Sequence, residues 1–95
     1  MTSIKLIKAL DRGKFNDVVR YIERNPQLLT LKLGIAELNI VEYVLYKNNS
    51  DLLEAVLGEY KDRIKFTVET LLHAINVGNE EAVQTILKTL MYQKF

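Results

Sequence analysis

Leu71-Leu72-His73-Ala74-Ile75-Asn76-Val77-Gly78-Asn79-Glu80-Glu81-Ala82-Val83-Gln84-Thr85-Ile86-Leu87 is the stretch on which the fold turns. Apolar residues recur three and four apart on both sides of a single glycine, the spacing of two short helices that each bury one stripe. Gly78 between them reads as a helix stop, because glycine accepts the left-handed geometry of a C-cap. Glu80 and Glu81 then fall at the start of the second helix, where carboxylates suit its dipole.

The chain opens on the same pattern. Ile4, Leu6, Ile7 and Leu10 suit one short helix, and Phe15, Val18, Val19 and Ile22 suit the next, with Gly13 between them. Asn16 or Asp17 is placed to cap the second helix, and Asn25-Pro26 ends it, since the residue before proline is pushed out of helical geometry. With Gly13 set over Gly78, an offset of 65 residues, Leu6 lies over Leu71, Ala9 over Ala74, Val18 over Val83 and Ile22 over Leu87. A middle copy fits with Asn48 in the glycine slot, Val41, Val44, Leu45, Leu53, Val56 and Leu57 on the apolar positions, and Ser50 as an N-cap. Asparagine is the non-glycine residue best suited to a left-handed turn. Three such units imply a single all-α domain over residues 1–95, with inner helices near 4–12, 38–47 and 68–77. The competing architecture is a compact five- or six-helix bundle in which the offset match is accidental.

The stretch from Leu71 to Leu87 resembles the core of an ankyrin repeat, a Leu-His-x-Ala-Ala pattern followed by two variable residues, Gly, Glu-x-Val and Leu-Leu. Ala9 to Ile22 is a weaker match and Glu42 to Leu57 the weakest, and together the resemblance spans about residues 4–90. No unit carries the family's Thr-Pro-Leu-His tetrapeptide. Leu72, Ile7 and Glu42 stand where its histidine would be, so the histidine-to-turn hydrogen bonds of a regular array are expected to be missing. The β-fingers are expected to be reduced to simple loops. What the resemblance implies is a stack of helix pairs that binds another protein along its concave face. The residues it would use are those just before each turn: Asp11 and Arg12, Tyr46 and Lys47, Asn76 and Val77. Tyr46 with Lys47 and Arg12 would form the centre, since tyrosine and arginine anchors carry much interface energy.

Composition narrows the chemistry. Apolar types make up 48% of the 95 residues and charged types 26%, with a formal charge of +1, the profile of an ordinary globular chain with no bulk attraction to polyanions. No cysteine is present, which excludes disulfides, zinc–thiolate sites and thiol nucleophiles. No secretory signal is visible and no apolar run approaches the ~20 residues of a membrane span, so a cytoplasmic protein that does not enter membranes is expected.

The one histidine, His73, has Glu69 one turn before it, but a zinc site needs three or four ligands. Ser3 and Ser50 lack a triad context, and the four glycines are isolated, so no phosphate-cradling loop is formed. The expectation is a non-catalytic module with no metal and no cofactor, acting as an adaptor or as an inhibitor of a partner protein. The alternative function is a small nucleic-acid-binding helical protein. It would use Lys5, Lys8, Arg12 and Lys14, or Lys61, Arg63 and Lys65 with Tyr60 and Phe66 as stacking platforms. Acidic residues interrupt both clusters, which makes nucleic acid the weaker reading. At the C-terminus, Met91, Tyr92 and Phe95 exceed what one buried stripe holds. They are expected either to fold back over the core or to self-associate, giving a weak homodimer.

Overall fold

The helix-forming pattern is realised throughout. The computed structural model describes residues 2–47 and 49–93, so the turn role expected of Asn48 lies outside the described residues. Within them the protein is all-α, with helices α1 (Thr2–Asp11), α2 (Phe15–Arg24), α3 (Ile40–Leu45), α4 (Ser50–Tyr60), α5 (Val68–Val77) and α6 (Glu80–Gln93), and a short 3-10 helix at Pro26–Thr30. Consecutive helices pack in pairs: α1 on α2, α3 on α4, α5 on α6. The α2–α4 and α3–α5 contacts join one pair to the next. A single core runs through all three pairs, with Leu6, Leu10, Val18, Ile22, Val41, Val44, Val56 and Ile86 almost fully buried. Ala9 and Ala74 are buried as well.

The first and last pairs turn in the same way. Gly13 has φ +69° and Gly78 φ +80°. The Lys14 N–H bonds the Ala9 carbonyl at 2.9 Å, and the Asn79 N–H bonds the Ala74 carbonyl at 3.3 Å. In each case the glycine N–H bonds the carbonyl three residues earlier, which completes a Schellman-type end. Two expected caps are displaced. The turn at Gly13 is so tight that α2 begins at Phe15 with Lys14 in the cap position, leaving Asn16 and Asp17 inside the first turn. In α4 the cap is Asn49, not Ser50: its side-chain oxygen accepts the Leu52 N–H at 3.1 Å, and Ser50 is already helical. α3 is also shorter than expected, because Asn39 caps its start and Tyr46 and Lys47 leave the helix in a turn.

The connections are short and structured. Before α3 the chain makes one antiparallel bridge, Leu33 to Leu38, with N–H···O distances of 2.7 and 3.0 Å. Its four-residue tip has Gly34 at φ +70° and Glu37 at φ +54°, with Ile35 fully exposed. After α4, the N–H groups of Arg63 and Ile64 both bond the Tyr60 carbonyl, and Ile64 and Phe66 fill the core.

One buried carboxylate ties two helix starts together. Glu42 is only 6% exposed. Its Oε1 accepts the Asn39 N–H at 2.9 Å, while the Asn39 side chain accepts the Glu42 N–H at 2.8 Å, a reciprocal capping box. Its Oε2 accepts the hydroxyl of Thr70, on α5, at 2.8 Å. Thr70 and Thr67 in turn cap α5 in the same reciprocal way. At this position, where the expected histidine bond has no histidine to make it, a carboxylate links two helix starts, because it has two oxygens and Glu42 uses one on each helix.

Two sets of variants test these features. At Gly78 an added Cβ meets nothing within 4 Å, so Gly78→Ala bears only the left-handed strain, ~1–2 kcal/mol. At Gly13 the Cβ would lie 2.9 Å from Asn49 Nδ2, in the side chain that caps α4. Gly13→Ala should therefore lose a further ~0.5–2 kcal/mol of capping energy. Urea unfolding should rank the chains parent, Gly78→Ala, Gly13→Ala, and equal losses at the two sites would contradict the Asn49 contact. A double-mutant cycle with Glu42→Ala and Thr70→Val should give a coupling of about 1.5–3 kcal/mol, the range for hydrogen bonds to charged groups.

Candidate protein-interaction surface

Three of the residues before the turns, Asp11, Tyr46 and Lys47, take part in two groups of side-chain contacts. Asp11 ends α1, and its carboxylate accepts the Tyr43 hydroxyl at 2.8 Å and pairs with Lys47 Nζ at 2.8 Å. Tyr43 and Lys47 are one turn apart around α3, and the ammonium also lies 4.7 Å from the centroid of the Tyr43 ring. Tyr46, 48% exposed, shares a hydrogen bond between its hydroxyl and His73 Nδ1 on α5, the rings meeting edge to face with centroids 5.4 Å apart. Asn76 and Val77 follow His73 by three and four residues and are exposed. Arg12 is exposed beside Asp11.

Of the six expected partner residues, Asp11, Tyr46 and Lys47 make these contacts, whereas Arg12 beside α1 and Asn76 and Val77 on α5 are exposed. Asp11, Tyr46 and Lys47 are not free side chains but are tied to neighbours. Two members were not expected. Tyr43 was legible in the sequence, standing four residues before Lys47, the spacing of one helical turn. His73 carries no such signal in the sequence, and only the packing of α5 beside α3 brings it to Tyr46. A third addition is the loop tip: a Cβ on Gly34 would sit 3.8 Å from the Tyr43 ring, which puts fully exposed Ile35 near the same surface.

The electrostatics follow from these contacts. The hydrogen bond from Lys47 holds the Asp11 carboxyl below its ordinary value of 3.8. The same bond, from the other side, holds the Lys47 ammonium above its ordinary 10.5. Partial burial, and then the bond to Asp11, push the Tyr43 phenol above 10.0.

Among the described residues no three His, Asp or Glu side chains converge on a point that could hold a metal ion. A groove of about 210 Å³ between α4 and α6 is lined by Ser50, Leu53, Leu57, Ala82 and Thr85, and its hydroxyls have no imidazole beside them, His73 being engaged by Tyr46. The stacking platforms proposed for nucleic acid are core residues: Tyr60 is 1% and Phe66 3% exposed. Arg63 covers the Tyr60 ring at 5.4 Å. Of the residues expected to self-associate, Met91 and Tyr92 are exposed on α6, which runs on as a helix instead of folding back, and Phe95 lies outside the described residues. No helix among the described residues is long and apolar enough to cross a membrane. Comparison with protein families, curated proteins and solved structures finds no match for this chain.

The Asp11–Lys47–Tyr43 cluster has a defined pH signature. A lowered Asp11 pKa means the unfolded chain binds that proton more readily. The contribution of Asp11 to stability is therefore present above the ordinary carboxyl range and lost as pH falls through its folded pKa, below 3.8. The raised pKa values of Lys47 and Tyr43 act in the opposite sense, and their contributions fade as pH rises beyond about 10. NMR titration should place the Asp11 carboxyl below 3.8 and move it back up in Lys47→Met. The pair is solvent-accessible, so the stability change should stay under ~1 kcal/mol.

Proposed function

We propose that this chain is a non-catalytic protein–protein interaction module, an adaptor or an inhibitor of a partner protein in the cytoplasm. It binds through the surface that runs from Asp11 across Tyr43, Tyr46 and Lys47 to His73, Asn76 and Val77. In the ankyrin-like reading of the sequence, this is the concave face of the helix stack. The observation that carries the proposal is the fixing of two accessible tyrosines at the end of α3, half-buried Tyr43 and exposed Tyr46, by side chains of α1, of the turn after α3 and of α5. Tyr46 is held by His73, and Tyr43 by Asp11 and Lys47. Side chains ordered before binding lose little entropy when a partner arrives, and tyrosine is a favoured anchor in interfaces.

The nucleic-acid reading is weaker on this account, because both of its aromatic residues are buried. The test is affinity capture from the native host followed by mass spectrometry, repeated with Tyr46→Ala. The parent should retain a protein partner in a nuclease-insensitive manner. Tyr46→Ala should weaken binding by at least ~1–2 kcal/mol with an unchanged circular dichroism spectrum. Co-purification that is nuclease-sensitive and falls steeply with salt would overturn the proposal in favour of phosphate contact.

A further inference from the structure

Charge is spread unevenly along this chain. Between residues 2 and 24 six basic residues meet three acidic ones, whereas between residues 50 and 93 four basic residues meet seven acidic ones. The first excess is gathered on one side of α1. Lys5, Lys8 and Arg12 stand at i, i+3 and i+7, the spacing of one helix side, and all three are exposed. Arg12 follows the last residue of α1, but its N–H still bonds the Lys8 carbonyl at 3.0 Å, so it keeps the helical register. The buried side of the same helix is made by Leu6, Ala9 and Leu10.

Asp11 and Asp17 interrupt this cluster in the sequence, yet both are committed elsewhere, Asp11 to Lys47 and Asp17 to Arg20. Among the described residues no ion pair takes up Lys5, Lys8 or Arg12. The other basic cluster is built differently: Asp62 is exposed within it, and Arg63 lies over the Tyr60 ring.

We propose that the stripe of Lys5, Lys8 and Arg12 docks an acidic segment of the partner protein, beside the surface that holds Tyr43 and Tyr46. The inference rests on the proposed interaction function and adds to it the charge of the partner. Three neighbouring like charges without a counter-ion raise the local positive potential, which attracts carboxylates and steers their approach. The stripe runs along seven residues of helix, about 10 Å, which matches two turns of a partner helix with carboxylates three and four apart. Asp11 joins the stripe to the tyrosine surface. It stands three residues after Lys8, and its carboxylate holds both Tyr43 and Lys47.

Nucleic acid fits this stripe less well than an acidic protein segment. Nucleic-acid-binding domains carry a larger basic footprint, with isoelectric points above about 9, and this chain has 7.9. Ile4, one turn before Lys8 and 52% exposed, adds an apolar contact that a phosphate backbone has no use for.

The test uses the full chain, with an oligoglutamate peptide as probe and an oligonucleotide of equal charge as its competitor. Fluorescence anisotropy should show the peptide binding, and more weakly as salt rises. In NMR spectra the peptide should move the amide resonances of Ile4, Lys5, Lys8 and Arg12. Replacing Lys5 and Lys8 together by Glu should weaken binding at least ~10-fold. Replacing both by Gln, which removes the charge and keeps the length, should weaken it in the same direction with an unchanged circular dichroism spectrum. Lys88→Glu, on α6, should bind the peptide as the parent does. Tyr46→Ala should leave the peptide isotherm unaltered, so failure of the stripe and failure of the tyrosine surface are told apart. Absence of peptide binding by the parent overturns the proposal. So do resonance shifts centred on residues 61–65, an equal loss in Lys88→Glu, or tighter binding of the oligonucleotide than of the peptide.

Discussion

A buried carboxylate with two separate tasks is the constraint around which the middle of this molecule is arranged. Removing Glu42 from water is unfavourable unless both its oxygens are satisfied. One is satisfied within its own helix by the Asn39 N–H and the other by the Thr70 hydroxyl of α5. The requirement sets where α3 begins, because the capping box places Asn39 three residues before Glu42. It also sets where α5 lies, because the hydroxyl that reaches Glu42 belongs to the residue closing the cap of α5. Apolar packing alone is non-directional and would allow the two helices to slide past each other. A hydrogen-bonded link between their first turns removes that freedom.

The surface features follow from that registration. With the starts of α3 and α5 locked together, Tyr46 at the end of α3 comes level with His73 in the middle of α5. α3 has only six residues and α5 has ten, so the longer helix extends past the shorter and leaves Asn76 and Val77 exposed. On the other side of α3, Tyr43 and Lys47 reach back to Asp11 at the end of α1. The contacts that order this surface are thus by-products of how three helices of unequal length are aligned.

The two ends of the molecule differ because burial is distributed unevenly. α2 is a strongly amphipathic helix, with Val18 and Ile22 buried and charges on its outer face. α5 carries apolar residues nearly all round, and only the sides facing α3 and α6 are covered, which leaves Val68, Leu72 and Ile75 exposed.

The six helices of this all-α fold were legible in the residues themselves. Period-3.6 apolar spacing and left-handed glycines are local signals, and the matched turns at Gly13 and Gly78 needed nothing beyond the chain around them. Resemblance to ankyrin repeats was read from the same stretches and stays a reading of sequence pattern. What local pattern could not reveal was partner choice across helices. Glu42 looks like any solvated glutamate until Thr70 is brought to it, and His73 looks like an isolated imidazole until Tyr46 stands beside it. Tyr60 and Phe66, whose residue types and basic neighbours suit stacking on bases, are instead buried in the core. Hydrogen bonds and burial between residues some thirty positions apart depend on how far each helix runs and which face it turns inward. Those lengths and orientations are settled only when all the helices pack at once.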